Sequence, residues 1–249
     1  MEDFSNKIVV VTGAGSGIGK MTAEMFLEQG ATVVGVVRRP VASFTERAAE
    51  YPGACFTEQI DVSNSAQVTA GVSRILDRFG RIDILVNSAG VLINATVTTT
   101  TEEQWDRLFA SNVKSVYLMC REVIPQMQAR HAGVIVNIAS RVGMTGGPNL
   151  AAYCASKAAV ANLTREMALD FSADGLRILA VAPGKVETPM CDMQFPGGPA
   201  EKAAEMSKYP QGRFTQAEEV GKVILFLASA LASNMTGAII PIDGGRSAY

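Results

Sequence analysis

The sequence predicts an α/β fold, a doubly wound parallel sheet of about seven strands with helices on both faces, forming a single domain over residues 1–249. Three observations predict it. Apolar runs of strand length alternate with longer segments of helical period along the whole chain. The runs carry Val and Ile on consecutive positions, as strands buried on both faces require. Neither a linker nor an internal repeat interrupts the alternation, and 249 residues is a length at which such folds stay undivided.

The elements follow in order. A β-branched strand at 8–11 ends in Thr12-Gly13, and the segment after it carries Met21, Met25, Phe26 and Leu27 at helical spacing. Further strands are expected at 32–37, 54–60, 82–86, 134–138, 176–181 and 238–242, with helices at 64–79, 103–130, 150–173 and 216–232. The 150–173 helix is rich in alanine (Ala151, Ala152, Ala155, Ala158, Ala159, Ala161), which allows close helix approach inside the core or across a subunit boundary. The 103–130 helix should expose Trp105, Leu108, Val116 and Met119 on more than one face. From Asp192 to Arg213 the composition shifts: Phe195-Pro196-Gly197-Gly198-Pro199 and Tyr209-Pro210-Gln211-Gly212 break regular structure. The region lies beyond the carboxyl end of a strand, where open α/β sheets bind ligands, so residues 188–212 read as a substrate lid, a plain surface loop being the alternative.

Composition narrows the function. A net charge of −2 offers no basic field for nucleic acid. Cys55, Cys120, Cys154 and Cys191 are widely scattered, which suits reduced thiols in a cytoplasmic protein rather than a metal knuckle or a disulfide framework. No metal site is expected. The single histidine, His131, reads as an exposed helix-end residue, and Ser-His-Asp chemistry has little support. Neither a signal peptide nor a membrane span is apparent.

The first strand runs into Thr12-Gly13-Ala14-Gly15-Ser16-Gly17-Ile18-Gly19 and then a helix. Glycines let the backbone turn tightly and approach a pyrophosphate, and the helix start supplies oriented N–H groups and partial positive charge. Asn87-Ser88-Ala89-Gly90 follows the fourth strand and Ser140 ends the fifth. Tyr153-Cys154-Ala155-Ser156-Lys157 opens a helix, and Pro183-Gly184 ends the sixth strand. In order and spacing, over essentially the whole chain, this set resembles the short-chain dehydrogenase/reductase family, whose fold is Rossmann-type.

The resemblance implies a dinucleotide laid along Gly13, Ser16, Gly17, Ile18 and Gly19. Asp61 and Val62 would border the adenine, although Asp61 also reads as a turn or capping carboxylate. Asn87, Ala89 and Gly90 would lie beside the adenosine ribose and brace the central strand, with Ser88 standing where the family usually has a second Asn. Tyr153, Lys157, Pro183, Gly184, Val186 and Thr188 would meet the nicotinamide end. At the end of the second strand, Val37-Arg38-Arg39 offers arginines where an NAD site usually has an acid, so NADP is the expected cofactor and NAD the alternative.

The implied catalytic set is Asn112, Ser140, Tyr153 and Lys157. Tyr153 and Lys157 are four apart, one turn above the other on a helix. Interconverting a ketone and a secondary alcohol moves a proton at oxygen as hydride moves at carbon. A nearby ammonium, together with the cationic oxidised nicotinamide, would lower a phenol pKa of about 10 by about 3 units. Ser140 would stabilise the developing oxyanion. Asn112 would hold a relay water, and an amide inside an apolar helix is costly unless its hydrogen bonds are met. Arg141 and Lys185 flank this end and read either as surface charges or as contacts to an anionic substrate. Apolar lining is expected from Val142, Met144 and Gly146. The expected activity is alcohol–ketone oxidoreduction on a small molecule, with 3-oxoacyl-thioester reduction and a non-catalytic cofactor sensor as alternatives. The resemblance also implies a homo-oligomer, a dimer or tetramer.

Overall fold

The computed structural model describes residues 3–41, 46–47, 49–195 and 197–248. Pro196, in the expected lid, lies outside them. Seven parallel strands form the sheet: β1 Ile8–Thr12, β2 Thr32–Val37, β3 Cys55–Gln59, β4 Ile84–Asn87, β5 Gly133–Ile138, β6 Leu176–Pro183 and β9 Ile239–Ile242. Their order is β3-β2-β1-β4-β5-β6-β9. The order reverses beside β1, between β1 and β4, and this opens a crevice above the carboxyl ends of the strands. Between β6 and β9 the chain forms a second, two-stranded pair, β7 Val186–Glu187 with β8 Thr215–Gln216.

Six helices matter here: α1 Gly17–Glu28, α2 Ser65–Phe79, α3 Glu102–Phe109, α4 Ser115–Ala129, α5 Ala151–Phe171 and α6 Ala217–Ala228. Because side chains alternate across a strand, each strand feeds two cores. Val10, Val34, Leu85, Ile135 and Ile178 pack against α2, α4 and α5 through Val72, Val123 and Val160. Val9, Val11, Val33, Val86, Val136 and Leu179 pack against α1 and α6 through Phe26, Ile224 and Leu227. This explains the unbroken Val/Ile runs.

At the amino ends of the strands, Asp83 accepts from the Ile8 N–H (2.8 Å), Arg81 Nε (3.0 Å) and Arg130 (2.5 Å). It thereby ties β1, β4 and the end of α4 together. Burial would raise the pKa of this carboxyl, but the donors outweigh it and hold the group below the ordinary range.

The structure corrects three expectations. The 103–130 helix is two helices joined by a π turn at Ala110–Lys114. Of the residues expected to be exposed on it, only Trp105 is. Leu108, Val116 and Met119 are core, because their spacing is that of one inward stripe. Within 188–212, Pro189–Asp192 and Pro199–Met206 are short helices, proline occupying a first-turn position where its missing N–H is harmless. No helix among the described residues is long and apolar enough to cross a membrane.

Candidate active site

The β1–α1 turn is built for close approach. Gly13 has φ +71°, and a Cβ there would stand 2.9 Å from Ala89 Cα. At Gly19 a Cβ would stand 2.5 Å from the Gly13 carbonyl oxygen. Any side chain at either position would push the helix start off the sheet. Thr12 braces the facing loop, its hydroxyl accepting from the N–H groups of Ser88 (3.0 Å) and Ala89 (3.1 Å).

Two clefts flank this turn. One, of about 360 Å3, is lined by Gly13, Ser16, Arg38, Arg39, Asp61, Val62, Ala89 and Gly90, together with neighbours such as Gly15 and Ser63. The other, of about 490 Å3, is lined by Ile18, Ser140, Arg141, Val142, Tyr153, Pro183, Gly184, Lys185, Val186 and Thr188, with residues of the 190–209 segment opposite. Residues expected to hold a dinucleotide are thus divided between the two sides of one glycine turn. Both arginines at the end of β2 are exposed. Asp61 Oδ1 accepts from the Ser63 hydroxyl (2.6 Å) and N–H (3.0 Å), and these bonds lower its pKa, the hydroxyl foremost. It is a turn carboxylate and a cleft wall at once.

Four expected cofactor residues do not line a cleft. Gly17 opens α1 and Gly19 packs behind it. Asn87 points into the core between α4 and α5, donating to Asn137 Oδ1 at 2.9 Å; Asn137 in turn donates to Thr164 Oγ1 at 2.9 Å. Its side chain braces β4 against β5. Lys157 is buried behind Tyr153.

The four catalytic candidates converge at the carboxyl ends of β4 and β5. Lys157 Nζ donates to the Ile138 carbonyl at 2.7 Å and stands 5.8 Å from the centre of the Tyr153 ring. The Ser140 hydroxyl, which donates to the Pro183 carbonyl at 3.5 Å, is near enough to the Tyr153 phenol to lower its pKa. Asn112, on the π turn, is fully buried with both amide atoms in use. Oδ1 accepts from Val91 N–H (2.8 Å), and Nδ2 donates to the Val91 carbonyl (2.9 Å) and to Ser156 Oγ (3.1 Å). Ser156 passes the link on, donating to the Tyr153 carbonyl at 2.8 Å. Its position one residue before Lys157 carried no signal of this role in the sequence.

Burial pushes the Tyr153 phenol up to about 12, and the nearby Ser140 hydroxyl recovers only part of that. Burial likewise pushes Lys157 down to about 8. Desolvation of the charged form dominates, so protein groups alone leave the phenol protonated and poised to donate. Met144 and Gly146, expected in the lining, are not there. Met144 is exposed, and the wall is made by Gly147, Pro148, Asn149 and Leu150, with Leu92 and Asn94 beyond β4.

The family described as enoyl-(acyl carrier protein) reductase matches residues 13–247. A 3-oxoacyl-(acyl-carrier-protein) reductase of Thermotoga maritima is 40% identical over 97% of this chain and 98% of its own. The chain belongs to the short-chain dehydrogenase/reductase family. Within that family it is also 39% identical to a meso-2,3-butanediol dehydrogenase of Serratia marcescens, over 98% and 96% of the two chains. A crystal structure of a 3-ketoacyl-(acyl-carrier-protein) reductase from Brucella melitensis, complexed with NADH, superposes with a TM-score of 0.90 at 34% identity, covering 98% of this chain and 100% of that one. This short-chain oxidoreductase is an NAD(P)-dependent enzyme acting on CH–OH groups and their ketones.

Proposed function

We propose that the chain reduces a small ketone reversibly to a secondary alcohol, with NADP(H) as preferred cofactor. The observation that carries the reading is the convergence of Ser140 and Tyr153 on the wall of the 490 Å3 cleft, with Lys157 5.8 Å from the Tyr153 ring centre and fixed by the Ile138 carbonyl. The glycine cradle, which any Cβ would fill, fits a dinucleotide backbone. When bound, its nicotinamide supplies or accepts the hydride.

In this reading the chain's own groups handle the proton. Tyr153 gives its phenolic proton to the substrate oxygen, and Ser140 donates to the same oxygen as charge develops there. Lys157, fixed by the Ile138 carbonyl, keeps positive charge behind the phenol. Asn112 positions Val91 and, through Ser156, the start of α5. Asp61 and Val62 flank the adenine, and Pro183, Gly184, Val186 and Thr188 flank the nicotinamide.

Support for NADP is the exposed Arg38-Arg39 pair on the 360 Å3 cleft with no acid at the end of β2. Ketone reduction with NADPH should exceed that with NADH at least tenfold in kcat/KM, and Arg38→Asp should invert the order. Equal use of both by the wild type would overturn the preference. A second reading, 3-oxoacyl-thioester reduction, is favoured by the name of the Thermotoga maritima relative, and a 3-oxoacyl thioester turned over faster than any simple ketone would establish it.

We also infer a homo-oligomer, a dimer or tetramer. Trp105, Tyr117 and Leu169 leave apolar surface exposed on α3, α4 and α5. Four unpaired cysteines suit the reducing cytoplasm. Residues 188–212 serve as the lid, held at its base by the β7–β8 pair.

A further inference from the structure

Arg141 and Lys185 face the substrate end of the larger cleft without a carboxylate partner among the described residues. Arg141 follows Ser140 directly, and its N–H donates to the Pro183 carbonyl at 2.9 Å, which fixes where the side chain leaves the sheet edge. One guanidinium nitrogen donates to Thr145 Oγ1 at 2.9 Å, while Nε is buried with no hydrogen-bond partner. Lys185 lies two residues past Pro183. Its ammonium donates to Gln194 Oε1 at 2.5 Å and stands 4.9 Å from the centre of the Phe195 ring, both neutral groups.

The two acids that line the same cleft are engaged elsewhere. Glu205 pairs with Lys208 at 2.7 Å, and Glu201 Oε2 accepts from the Gly197 N–H at 2.8 Å. Burial holds Lys185 below the ordinary lysine range; Cys191 and Glu205 are near enough to offset this only in part, and Arg141 and Lys208 add like-charge repulsion. Both residues are partly buried, so neither is the solvated surface charge that a strand-end position suggests. Removing cationic nitrogens from water costs free energy that neutral hydrogen bonds return only in part. A ligand anion would return the rest.

We propose that the substrate carries a carboxylate, seated between Arg141 and Lys185, while its carbonyl or carbinol oxygen meets Ser140 and Tyr153. This rests on the redox reading above. A planar guanidinium fork and a point-charge ammonium together suit a carboxylate. The cleft of about 490 Å3 also contains the walls expected at the nicotinamide end, Ile18 and Thr188, so the remaining space suits a small oxo or hydroxy acid.

The test measures NADPH oxidation with 3-, 4- and 5-oxo acids against their methyl esters. At least one acid should exceed its own ester tenfold or more in kcat/KM, mainly through KM. Arg141→Met and Lys185→Met should each lower that acid-to-ester ratio at least tenfold, and Arg141→Lys should restore part of it. Esters that match every acid, or a ratio that neither substitution moves, overturn the proposal. Thermal shift with the same acids and NADP+ separates this failure from failure of the redox reading. An acid-dependent rise in Tm that is lost in Lys185→Met, with no turnover of either series, retains the anion site and removes the ketone reductase. The absence of both a shift and an acid preference removes the anion site.

Discussion

Asn112 grips Val91 with both ends of its amide, accepting from the N–H at 2.8 Å and donating to the carbonyl at 2.9 Å. An amide meeting a main-chain N–H and C=O in this way reproduces a strand-like pairing from a helix. The π turn at Ala110–Lys114 is what aims it. The loop after β4 is therefore held to α5 through Asn112 and Ser156, and α5 carries Tyr153 and Lys157.

Replacing Asn112 with leucine leaves the Val91 N–H and carbonyl unpaired. The expected cost is about 1–3 kcal/mol of stability, read from urea unfolding. Turnover should fall at least tenfold beyond any loss of folded protein, because the residue positions the groups that react. Full activity per folded molecule would remove that role.

Gly19→Ala tests the cradle. Its Cβ would meet the Gly13 carbonyl oxygen at 2.5 Å, so the turn must open. Dinucleotide affinity, followed by quenching of the lone Trp105 or by calorimetry, should fall tenfold or more while the Tm changes by only a few degrees.

The pH profile follows from two opposed shifts. Lys157, pushed down to about 8 from an ordinary 10.5, loses its proton while Tyr153, pushed up to about 12, still holds its own. Ketone reduction should therefore be level below about pH 8 and fall above it, whereas alcohol oxidation, which needs phenolate, should keep rising to higher pH. Linkage gives a second readout. Between about 8 and 10.5 the unfolded chain binds a proton at this lysine that the folded chain lacks, so Lys157 makes stability rise with pH across that window. Lys157→Met should remove both the limb and the rise.

Asp83 works in the opposite sense. Its folded pKa is held below the unfolded value, so its contribution is complete at neutral pH and is lost as pH falls through the folded pKa. Asp83→Asn should cost about 3 kcal/mol at pH 7, since it leaves Arg81 and Arg130 without their shared counter-charge. The gap to wild type should close in acid. A constant gap between pH 7 and pH 2 would show that the loss is one of packing.

Much of the fold and the site was legible because two-faced burial and short-range spacing leave direct marks. Val9, Val10 and Val11 are consecutive valines because one serves each core in turn. Tyr153 and Lys157 stand one helical turn apart. Less legible was whatever depends on contacts between distant segments. Burial of the phenol raises its pKa, and no local motif reports burial. Lys185 looks like a strand-end charge until Gln194 and Phe195 fold over it. The π turn escapes notice because Ser111 and Asn112 fit an ordinary helix equally well. Asn87 turns its side chain into the core because the strand's alternation puts it on the face of Leu85, and its partner Asn137 lies 50 residues away in the chain.

The central claim is that the Tyr153 phenol delivers the proton to the substrate oxygen. Single-turnover oxidation of bound NADPH, mixed with a ketone substrate in a stopped-flow instrument, tests it directly for wild type and Tyr153→Phe. Loss of about 10²–10⁴-fold in the rate of hydride transfer, with NADPH affinity kept within a few-fold, is the predicted result. Hydride transfer at the wild-type rate in the phenylalanine variant would contradict it.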